Sequence, residues 1–284
     1  MNQIAAPISF QDFVRLGSHQ SYGQANALAV LFFRRFGPLG THARIRNARL
    51  IHTLAGIDLT GMRALDVGCG HGYTLFWLAE HFPSMRLEGI DTDAGQIAGC
   101  QRASQARGFA HLRFRPGTPY DLPGQATYDL LIAIDVLEHL PDDRAALRAF
   151  ATALKPGGYL AVHVPLRHQV QQRIFPAFRG HTVSDHVRDE YLPEEIVVRV
   201  EEAGLEIQRF GYGFGYWGEL SFELNNLFWR NRWLRNLSAL ATLPLALALG
   251  YWDACQHQVF GNSMVLLARR PVDDSGPQPI PAQL

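Results

Sequence analysis

The sequence predicts an α/β protein built on a mainly parallel sheet. From Arg63 onward, short apolar runs alternate with amphipathic stretches of about 10 to 15 residues, which is typical of strand–helix–strand units. A glycine-rich turn, Gly68–Gly72, follows the first of these runs, where sheets of this kind bind ligands. The chain has 284 residues, of which 47% are hydrophobic and 18% charged, so its composition is that of a globular protein with a sizeable core.

Residues 1–60 are predicted to form a helical cap. An apolar-rich stretch, Ala25–Phe36, stops at Gly37-Pro38, and Ile45–Ala55 has apolar residues three and four positions apart. The sheet is then built from residues 61–214 and 263–270. Its first five strands are predicted at Ala64–Val67, Arg86–Asp91, Leu112–Arg115, Tyr128–Ile134 and Tyr159–Val164. The helices between them are predicted at Tyr73–His81, Ala94–Arg107 and Arg144–Leu154.

The end of the sheet is predicted to be interrupted by an insertion. Pro193 opens another helix, which ends at Gly204, because proline suits a first helical turn. Strands at Leu205–Phe210 and Ser263–Ala268 bring the sheet to seven strands. Residues 215–262 between them are too many for a hairpin turn and contain four tryptophans, so we expect an ordered helical insertion. The Pro-rich residues 271–284 are expected to form a disordered tail.

Charge and cysteine content narrow the function classes. Lys+Arg and Asp+Glu are both 26, so the chain has no long-range attraction for nucleic acid. Cys69, Cys100 and Cys255 form no CxxC pair, which argues against a disulfide framework or a zinc site and makes a reducing cytoplasm the simplest setting. No secretory signal is visible at the N-terminus, and no clustered acids indicate a metal site.

The glycine-rich turn predicts a ligand site at the first strand. Glycines let the backbone approach a ligand and point the following helix at it. The spacing is GxGxG, since Tyr73 occupies the place of the third glycine in a dinucleotide fingerprint. Asp66, two residues before the first glycine, is suited to an ammonium group. Asp91, at the end of the second strand, is placed to accept hydrogen bonds from two ribose hydroxyls.

Five segments carry a resemblance to a known family. They read ALDVGCGHG, LEGIDTD, YDLLIAIDVLEHL, LKPGGYL and DHVRDEYLPEEI with the later EEAG. In this order they resemble the class I S-adenosylmethionine-dependent methyltransferases, in particular the small-molecule branch that includes ubiquinone-pathway enzymes. The resemblance covers about Arg63 to Gly204 and returns at the last strand. It implies a doubly wound, Rossmann-like sheet with an antiparallel last strand, and S-adenosyl-L-methionine across the carboxyl ends of the first strands.

The resemblance also implies roles for single residues. It assigns Gly68 and Gly70 to the methionine half of the cofactor, Asp91 to the ribose and Asp135 to the wall of the methyl pocket. Further cofactor contacts are expected from three neighbouring positions, Cys69, Thr92 and Gly117.

One position departs from the family pattern. Relatives carry an aspartate after the third strand that accepts from the adenine amino group, whereas this chain has Thr118 there. A threonine can accept the same hydrogen bond without charge, and Asp121 is an alternative acceptor a little farther along.

Two histidines are the leading candidates for a general base. Histidine titrates near neutral pH and is useful when the methyl acceptor is a hydroxyl. His186 lies in a segment that borders the acceptor pocket in relatives, beside Arg188, which is a candidate for substrate binding. His139 lies just past the fourth strand and is equally well read as a helix-start residue. Tyr22 is expected either to close over the site or to pack in the core.

The predicted function is methylation of an apolar or amphipathic small molecule, at oxygen rather than at nitrogen or carbon. A carbon-methylating enzyme of the quinone type, a non-catalytic cofactor-binding scaffold and a fold turned to another reaction, such as a cyclisation, are the alternatives. No Asn/Asp-Pro-Pro-aromatic motif follows the fourth strand, which disfavours methylation of nucleic-acid bases.

The insertion contains an uncharged run, Asn236–Trp252, with arginines before it and aromatic residues at both ends. This pattern suits a lid over the acceptor pocket, a homodimer contact or a peripheral membrane segment on the inner face of a membrane. Of these we expect the lid, because the run is short and Pro244 interrupts it. If the segment is a lid, its leucines should face inward.

Overall fold

A computed structural model describes residues 8–23, 26–167, 190–228 and 231–272. Its seven strands are β1 (Arg63–Val67), β2 (Arg86–Asp91), β3 (Leu112–Pro116), β4 (Tyr128–Ile134), β5 (Leu154–Pro165), β6 (Glu206–Gly213) and β7 (Ser263–Arg269). The helices of the described residues are α1 (Phe10–Arg15), α2 (Ala27–Phe36), α3 (His42–Thr53), α4 (Tyr73–His81), α5 (Ala94–Ala106), α6 (Asp143–Ala153), α7 (Pro193–Glu202), α8 (Tyr216–Asn225) and α9 (Arg232–Cys255).

The strands form one sheet in the order β3-β2-β1-β4-β5-β7-β6. Strands β1 to β5 run parallel, and β7 is antiparallel to both β5 and β6. This confirms the predicted doubly wound fold with an antiparallel last strand. The strand order reverses between β1 and β4, and a crevice at the carboxyl ends of the strands opens at such a switch point.

Two apolar layers cover the two faces of the sheet. Ala64 in β1 joins the core formed with α3 and α4, whereas Leu65 and Val67 join the core formed with α6 and α7. Because side chains alternate along a strand, Asp66 lies on the α3 side with Ala64. The carboxylate of Asp66 is therefore directed into the layer that contains the N-terminal cap.

The helical insertion lies between β6 and β7, as predicted. Its helices α8 and α9 pack on each other and on α3. Leu243 and Leu247 of α9 are buried in the core shared with α3, whereas Leu237, Leu240 and Leu245 are exposed. The expected inward orientation thus holds for two of these leucines and is wrong for three.

Several predicted boundaries are also wrong. Strand β5 begins at Leu154, which was predicted as the last residue of the preceding helix, because Leu154 pairs with Tyr128 of β4. Helix α3 begins at His42, three residues before the predicted Ile45, since polar residues on its first turn hide the apolar spacing. Asn26 caps α2, which therefore starts at Ala27. Most of the predicted tail, 273–284, lies outside the described residues.

Candidate cofactor and active site

The turn after β1 requires glycine at three of its five positions. Gly68, Gly70 and Gly72 have φ angles of +68°, +52° and +71°, in the left-handed region that other residues rarely adopt. A Cβ on Gly68 would lie 2.5 Å from Cγ2 of Val136, and one on Gly72 would lie 3.2 Å from the ring of Phe114. Backbone conformation and close packing therefore both require the predicted glycine pattern.

Asp91 holds this turn in place. The amide of Gly70 donates to Oδ2 of Asp91 at 2.8 Å, and the amide of Asp93 donates to Oδ1 at 2.9 Å. A carboxylate has about four acceptor positions, so both oxygens keep capacity for hydroxyl donors such as those of a ribose. Asp91 is also only partly buried. Sequence reasoning assigned it to the ligand alone and missed its contact with the turn.

A cavity of about 160 Å³ lies between β1, the turn and α3. It is lined by Ala43, Arg46, Asn47, Asp66, Gly68, Cys69, Gly70, His71, Tyr73, Gln96 and Ile134. The α3 residues among them were not predicted, because nothing in a helix 20 residues away from the turn shows that it folds back over the site. Asn47 is fixed there by a hydrogen bond from Thr74 of α4.

Asp66 is the acidic group of this cavity. It is 3% exposed, and its Oδ1 has no hydrogen-bond partner in the described part of the chain. Burial, followed by the charge of Asp91, raises the pKa of Asp66 well above its ordinary value. A buried carboxyl oxygen without a partner is costly, and an ammonium group beside it would remove that cost. This orphaned oxygen fits the amino group of S-adenosylmethionine.

A second cavity, of about 350 Å³, lies on the other side of the turn. It is bounded by the 3-10 helix Ser18–Gly23 and by the first half of α5, and it shares His71 and Gln96 with the smaller cavity. His19 closes one wall, with its Nε2 2.5 Å from the carbonyl of His71. Burial lowers the pKa of His19 to about 3, so its imidazole is neutral and donates to that carbonyl.

Tyr22 does not line either cavity. Its ring is 38% exposed and lies under the guanidinium of Arg34, 5.7 Å from the ring centroid. Core packing, the alternative considered for Tyr22, is therefore wrong. The role over the ligand stays a prediction, since the adjacent Gly23 belongs to the wall of the larger cavity.

Thr118 and Asp121 bind each other after β3. The hydroxyl and the amide of Thr118 donate to Oδ2 of Asp121 at 2.7 and 2.8 Å, and these bonds lower the pKa of Asp121. Together the two residues cap the short 3-10 helix Pro119–Asp121. Gly117 lies beside them, and its amide donates to the carbonyl of Asp91. Thr92 is exposed at the end of β2. Their contacts with adenine stay predictions.

Asp135 lies at the centre of a charged cluster at the end of β4. It has a φ of +51°, which is rare for a residue other than glycine, and it forms an ion pair with Arg46 of α3. Nδ1 of His163 in β5 lies 2.5 Å from its Oδ1. Burial by itself would raise the pKa of Asp135, but Arg46 and His163 outweigh burial and hold that pKa below its ordinary range.

His163 lies in the predicted fifth strand. It is buried there, and the structure also pairs it with Asp135. Its Nε2 is buried and has no hydrogen-bond partner among the residues described. The sequence did carry a signal for a role of His163, because it is a polar residue between Val162 and Val164 in an otherwise apolar strand. No such signal pointed to Arg46, which lies 89 positions from Asp135 in the sequence.

Of the two predicted bases, His139 lies within the described residues and His186 does not. His139 is exposed at the end of the 3-10 helix Leu137–His139, and its amide donates to the carbonyl of Val136. His186 and Arg188 lie outside the described residues, so their roles stay predictions. Within residues 8–23, 26–167, 190–228 and 231–272, no group of three or more His, Cys, Asp and Glu side chains is arranged to hold a metal ion.

The chain belongs to the methyltransferase domain family, whose model matches residues 39–209, more than half of the chain. This confirms the resemblance to the class I S-adenosylmethionine-dependent methyltransferases and agrees with the predicted cofactor. The matched range includes α3 and every described residue of the two cavities except those of the 3-10 helix Ser18–Gly23.

Similar proteins are small-molecule methyltransferases by name. A ubiquinone biosynthesis O-methyltransferase of Xanthomonas oryzae pv. oryzae is 32% identical over 137 residues, which are 47% of this chain and 56% of that protein. A trans-aconitate 2-methyltransferase of Deinococcus radiodurans is 36% identical over 106 residues, 37% of this chain and 39% of that protein. The chain therefore spans about half the length, or less, of these relatives.

A solved structure of the same fold is that of phosphoethanolamine N-methyltransferase 2 from Haemonchus contortus in complex with S-adenosyl-L-methionine. Its TM-score is 0.59 at 19% identity, and the likeness covers 93% of this chain and 60% of that chain. At this identity the likeness shows the fold.

Proposed function

We propose that the chain transfers a methyl group from S-adenosylmethionine to a hydroxyl oxygen of an apolar or amphipathic small molecule. The observation that carries the choice of oxygen is the Asp135–His163 pair, with one histidine nitrogen bound to the carboxylate and the other without a partner in the described residues. A hydroxyl acceptor loses a proton on methylation and needs a group that takes it, whereas a thioether or a tertiary amine does not. A carbon acceptor also loses a proton, and the O-methyltransferase name of the Xanthomonas relative favours oxygen over carbon.

The residues around the turn fit the cofactor. When bound, S-adenosylmethionine supplies a methyl group that is already activated on a sulfonium and is transferred by in-line displacement. The protein then has to bind and align the two reactants. Asp66 and the left-handed glycines Gly68 and Gly70 would hold the amino-acid end. Asp91 would hold the ribose through the acceptor positions that the turn leaves available.

The charged cluster supports proton transfer at His163. Asp135 accepts from Nδ1–H, which leaves the lone pair of Nε2 for an acceptor hydroxyl. Arg46 keeps Asp135 anionic, and the anion stabilises the imidazolium that forms when His163 takes a proton. Arg46 also lines the smaller cavity, so the cluster is continuous with the cofactor site. His163 joins His186 and His139 as a third candidate base.

The relatives support the same chemistry. The Xanthomonas protein is named an O-methyltransferase of ubiquinone biosynthesis. That name agrees with methyl transfer to oxygen on a small molecule.

The proposal is tested with methyl-labelled S-adenosylmethionine and a panel of apolar phenols, with the methylated atom identified by nuclear magnetic resonance of the product. His163→Asn retains a donor toward Asp135 but lacks Nε2. We expect it to lower turnover by about 10²–10⁴-fold with cofactor affinity unchanged. His111→Asn is the matched control, since His111 comes just before β3, at the amino ends of the strands, and its Nε2 lies 3.3 Å from the carbonyl of Ala79.

Other outcomes would overturn the proposal. Label on carbon would favour the quinone-type C-methyltransferase. Cofactor binding without label transfer to any acceptor would favour a scaffold. A loss of turnover with His139→Ala or His186→Ala, and none with His163→Asn, would agree with the proposed reaction but assign the general base to His139 or His186.

A further inference from the structure

Helix α9 is apolar on two opposite faces. One face is buried against α8 and α3 and contains Ala239, Leu243, Ala246, Leu247 and Ala254. The opposite face is exposed and is formed by Trp233 (85% exposed), Leu237 (67%), Leu240 (51%), Leu245 (54%) and Trp252 (56%). At about 100° per residue these positions fall within an arc of about 140°, so they share one side of the helix. We call this side the α9 stripe.

By its length and composition alone, α9 could span a membrane. Among the described residues it is the single such helix, from Trp233 to Cys255 with a mean hydropathy of 1.3. To span a membrane, α9 would have to detach from the rest of the protein, and the contacts of its buried face oppose this. Asp253 is fully buried and accepts from the amides of Phe214 and Gly218 at 3.1 and 2.9 Å. Arg49 donates to the carbonyl of Asp253.

A second anchor holds the middle of α9. The hydroxyl of Ser221 in α8 donates to the carbonyl of Ala246 at 2.7 Å, and both residues are buried. Breaking these contacts would leave several buried polar groups without partners, which is unfavourable. The helix therefore stays on the protein with the α9 stripe facing outward.

The charge around the α9 stripe identifies what covers it. Residues 224–252 contain Arg230, Arg232 and Arg235 and no acidic residue. In the sequence, all three arginines lie within three positions of Trp233, at the amino-terminal end of α9. A second copy of the stripe would bring arginines against arginines or against leucines, with no carboxylate to pair with them. An anionic bilayer supplies a partner for each part of this surface. Its phospholipid headgroups pair with the arginines, and its acyl chains contact the apolar side chains of the α9 stripe.

The distribution of aromatic residues agrees with a lipid surface. Trp233 and Trp252 stand at the two ends of the stripe, about 28 Å apart at 1.5 Å per residue, with leucines between them. Tryptophan prefers the boundary between headgroups and acyl chains, and a helix that lies in this boundary buries one apolar side. A tryptophan that is 85% exposed is otherwise costly to keep in water.

We infer that α9 is an in-plane membrane-binding helix, which seats the protein on an anionic bilayer through the α9 stripe without crossing it. Helix α9 packs on α3, and α3 lines the smaller cavity. Only α9 and α3 thus lie between the bilayer and the cofactor site, which suits an acceptor dissolved in lipid. This last point rests on the proposed function, whereas the membrane contact does not.

The test is flotation of the full chain with vesicles of equal parts phosphatidylcholine and phosphatidylglycerol. We expect the protein to float, to float less as salt is raised because the arginines are screened, and to bind phosphatidylcholine vesicles more weakly. The double variant L237E/L245E should lower the bound fraction at least about tenfold, since it places charge where two leucines enter the lipid. R235Q should reduce binding to anionic vesicles alone.

The matched control is Val198→Glu. Val198 is 48% exposed on α7, which packs on the opposite face of the sheet from α9. This variant should float like the unmodified protein. Unchanged melting temperature and cofactor affinity of L237E/L245E would show that the fold and the methyltransferase site are intact, so failure of this inference is separate from failure of the proposed function.

Three results would overturn the inference. One is recovery of the unmodified protein below the vesicles at low salt. Another is equal flotation of L237E/L245E and the unmodified protein. The third is a concentration-dependent dimer in sedimentation that L237E/L245E dissociates while vesicle binding is absent, which would assign the α9 stripe to a second copy of the chain.

Discussion

Replacing Asp66 by asparagine should change cofactor affinity and stability in opposite directions. Asparagine has nearly the same shape, so the change removes the charge and leaves the packing of β1 intact. Asp66 is 3% exposed, and its Oδ1 has no partner in the described residues. A hydrogen bond to a charged group contributes about 1.5–3 kcal/mol. Loss of such a bond to the cofactor's ammonium would weaken binding by about 10- to 150-fold.

The sign of the stability change follows from the pKa of Asp66, which burial raises above its ordinary value. A group whose pKa is higher in the folded state stabilises the fold below its unfolded pKa, and this contribution is lost as the pH rises through the folded pKa. At neutral pH the carboxyl is ionised in the unfolded chain, and burying it opposes folding. Asp66→Asn should therefore raise the melting temperature of the cofactor-free protein at neutral pH and have a smaller effect in acid.

The assay combines calorimetric titration of S-adenosylmethionine with thermal unfolding at several pH values. Cofactor binding to the unmodified protein should tighten as the pH rises through the raised pKa of Asp66, because the ammonium prefers the ionised carboxyl, and Asp66→Asn should remove this dependence. Asp58→Asn is the control, since Asp58 is exposed at the other end of β1. Unchanged cofactor affinity in Asp66→Asn would refute the assignment of Asp66 to the ammonium group.

Three further substitutions test the rest of the site. Asp91→Ala should weaken cofactor binding at least tenfold by calorimetry, from loss of charged hydrogen bonds worth about 1.5–3 kcal/mol each, and should also loosen the turn that Asp91 holds, seen as faster amide exchange there. Gly68→Ala should lower both melting temperature and cofactor affinity, because its Cβ would lie 2.5 Å from Val136, and adding Val136→Ala should restore part of the stability but not all of it, since the φ of +68° remains. Arg46→Gln should raise the pKa of Asp135 by removing its ion pair, so that turnover falls more in acid than at neutral pH, and an unshifted pH profile would contradict the role of Arg46.

The packing of the fold does not explain why the α9 stripe is apolar. A parallel sheet has both faces covered, and here one of the covering helices, α9, is itself apolar on its outer side. Stability of the sheet alone does not require Trp233 or Leu237 to be apolar, since both are more than 60% exposed. The inferred bilayer contact accounts for residues that packing leaves unexplained.

The sequence by itself determined the fold class and located the glycine turn and Asp91 of the candidate cofactor site. Strand–helix alternation has a period that a single sequence shows, and Gly68, Gly70 and Asp91 belong to one strand–turn–helix unit and the strand after it. Their contacts depend mainly on local chain geometry, and the neighbouring strands β1 and β2 bring them together.

Only the tertiary structure brought together the residues of the proposed acceptor half of the site. Arg46, Asp135 and His163 come from α3, β4 and β5, and the folded sheet joins them over sequence separations of 89 and 28 residues. An ion pair of that kind leaves no periodic trace, because each partner satisfies a local pattern of its own. The two faces of α9 are alike in hydrophobicity, so the sequence could not say which one is buried. Packing on α8 and α3 chose the face with Leu243 and Leu247, because the small residues Ala239 and Ala246 beside them allow the helices to approach closely.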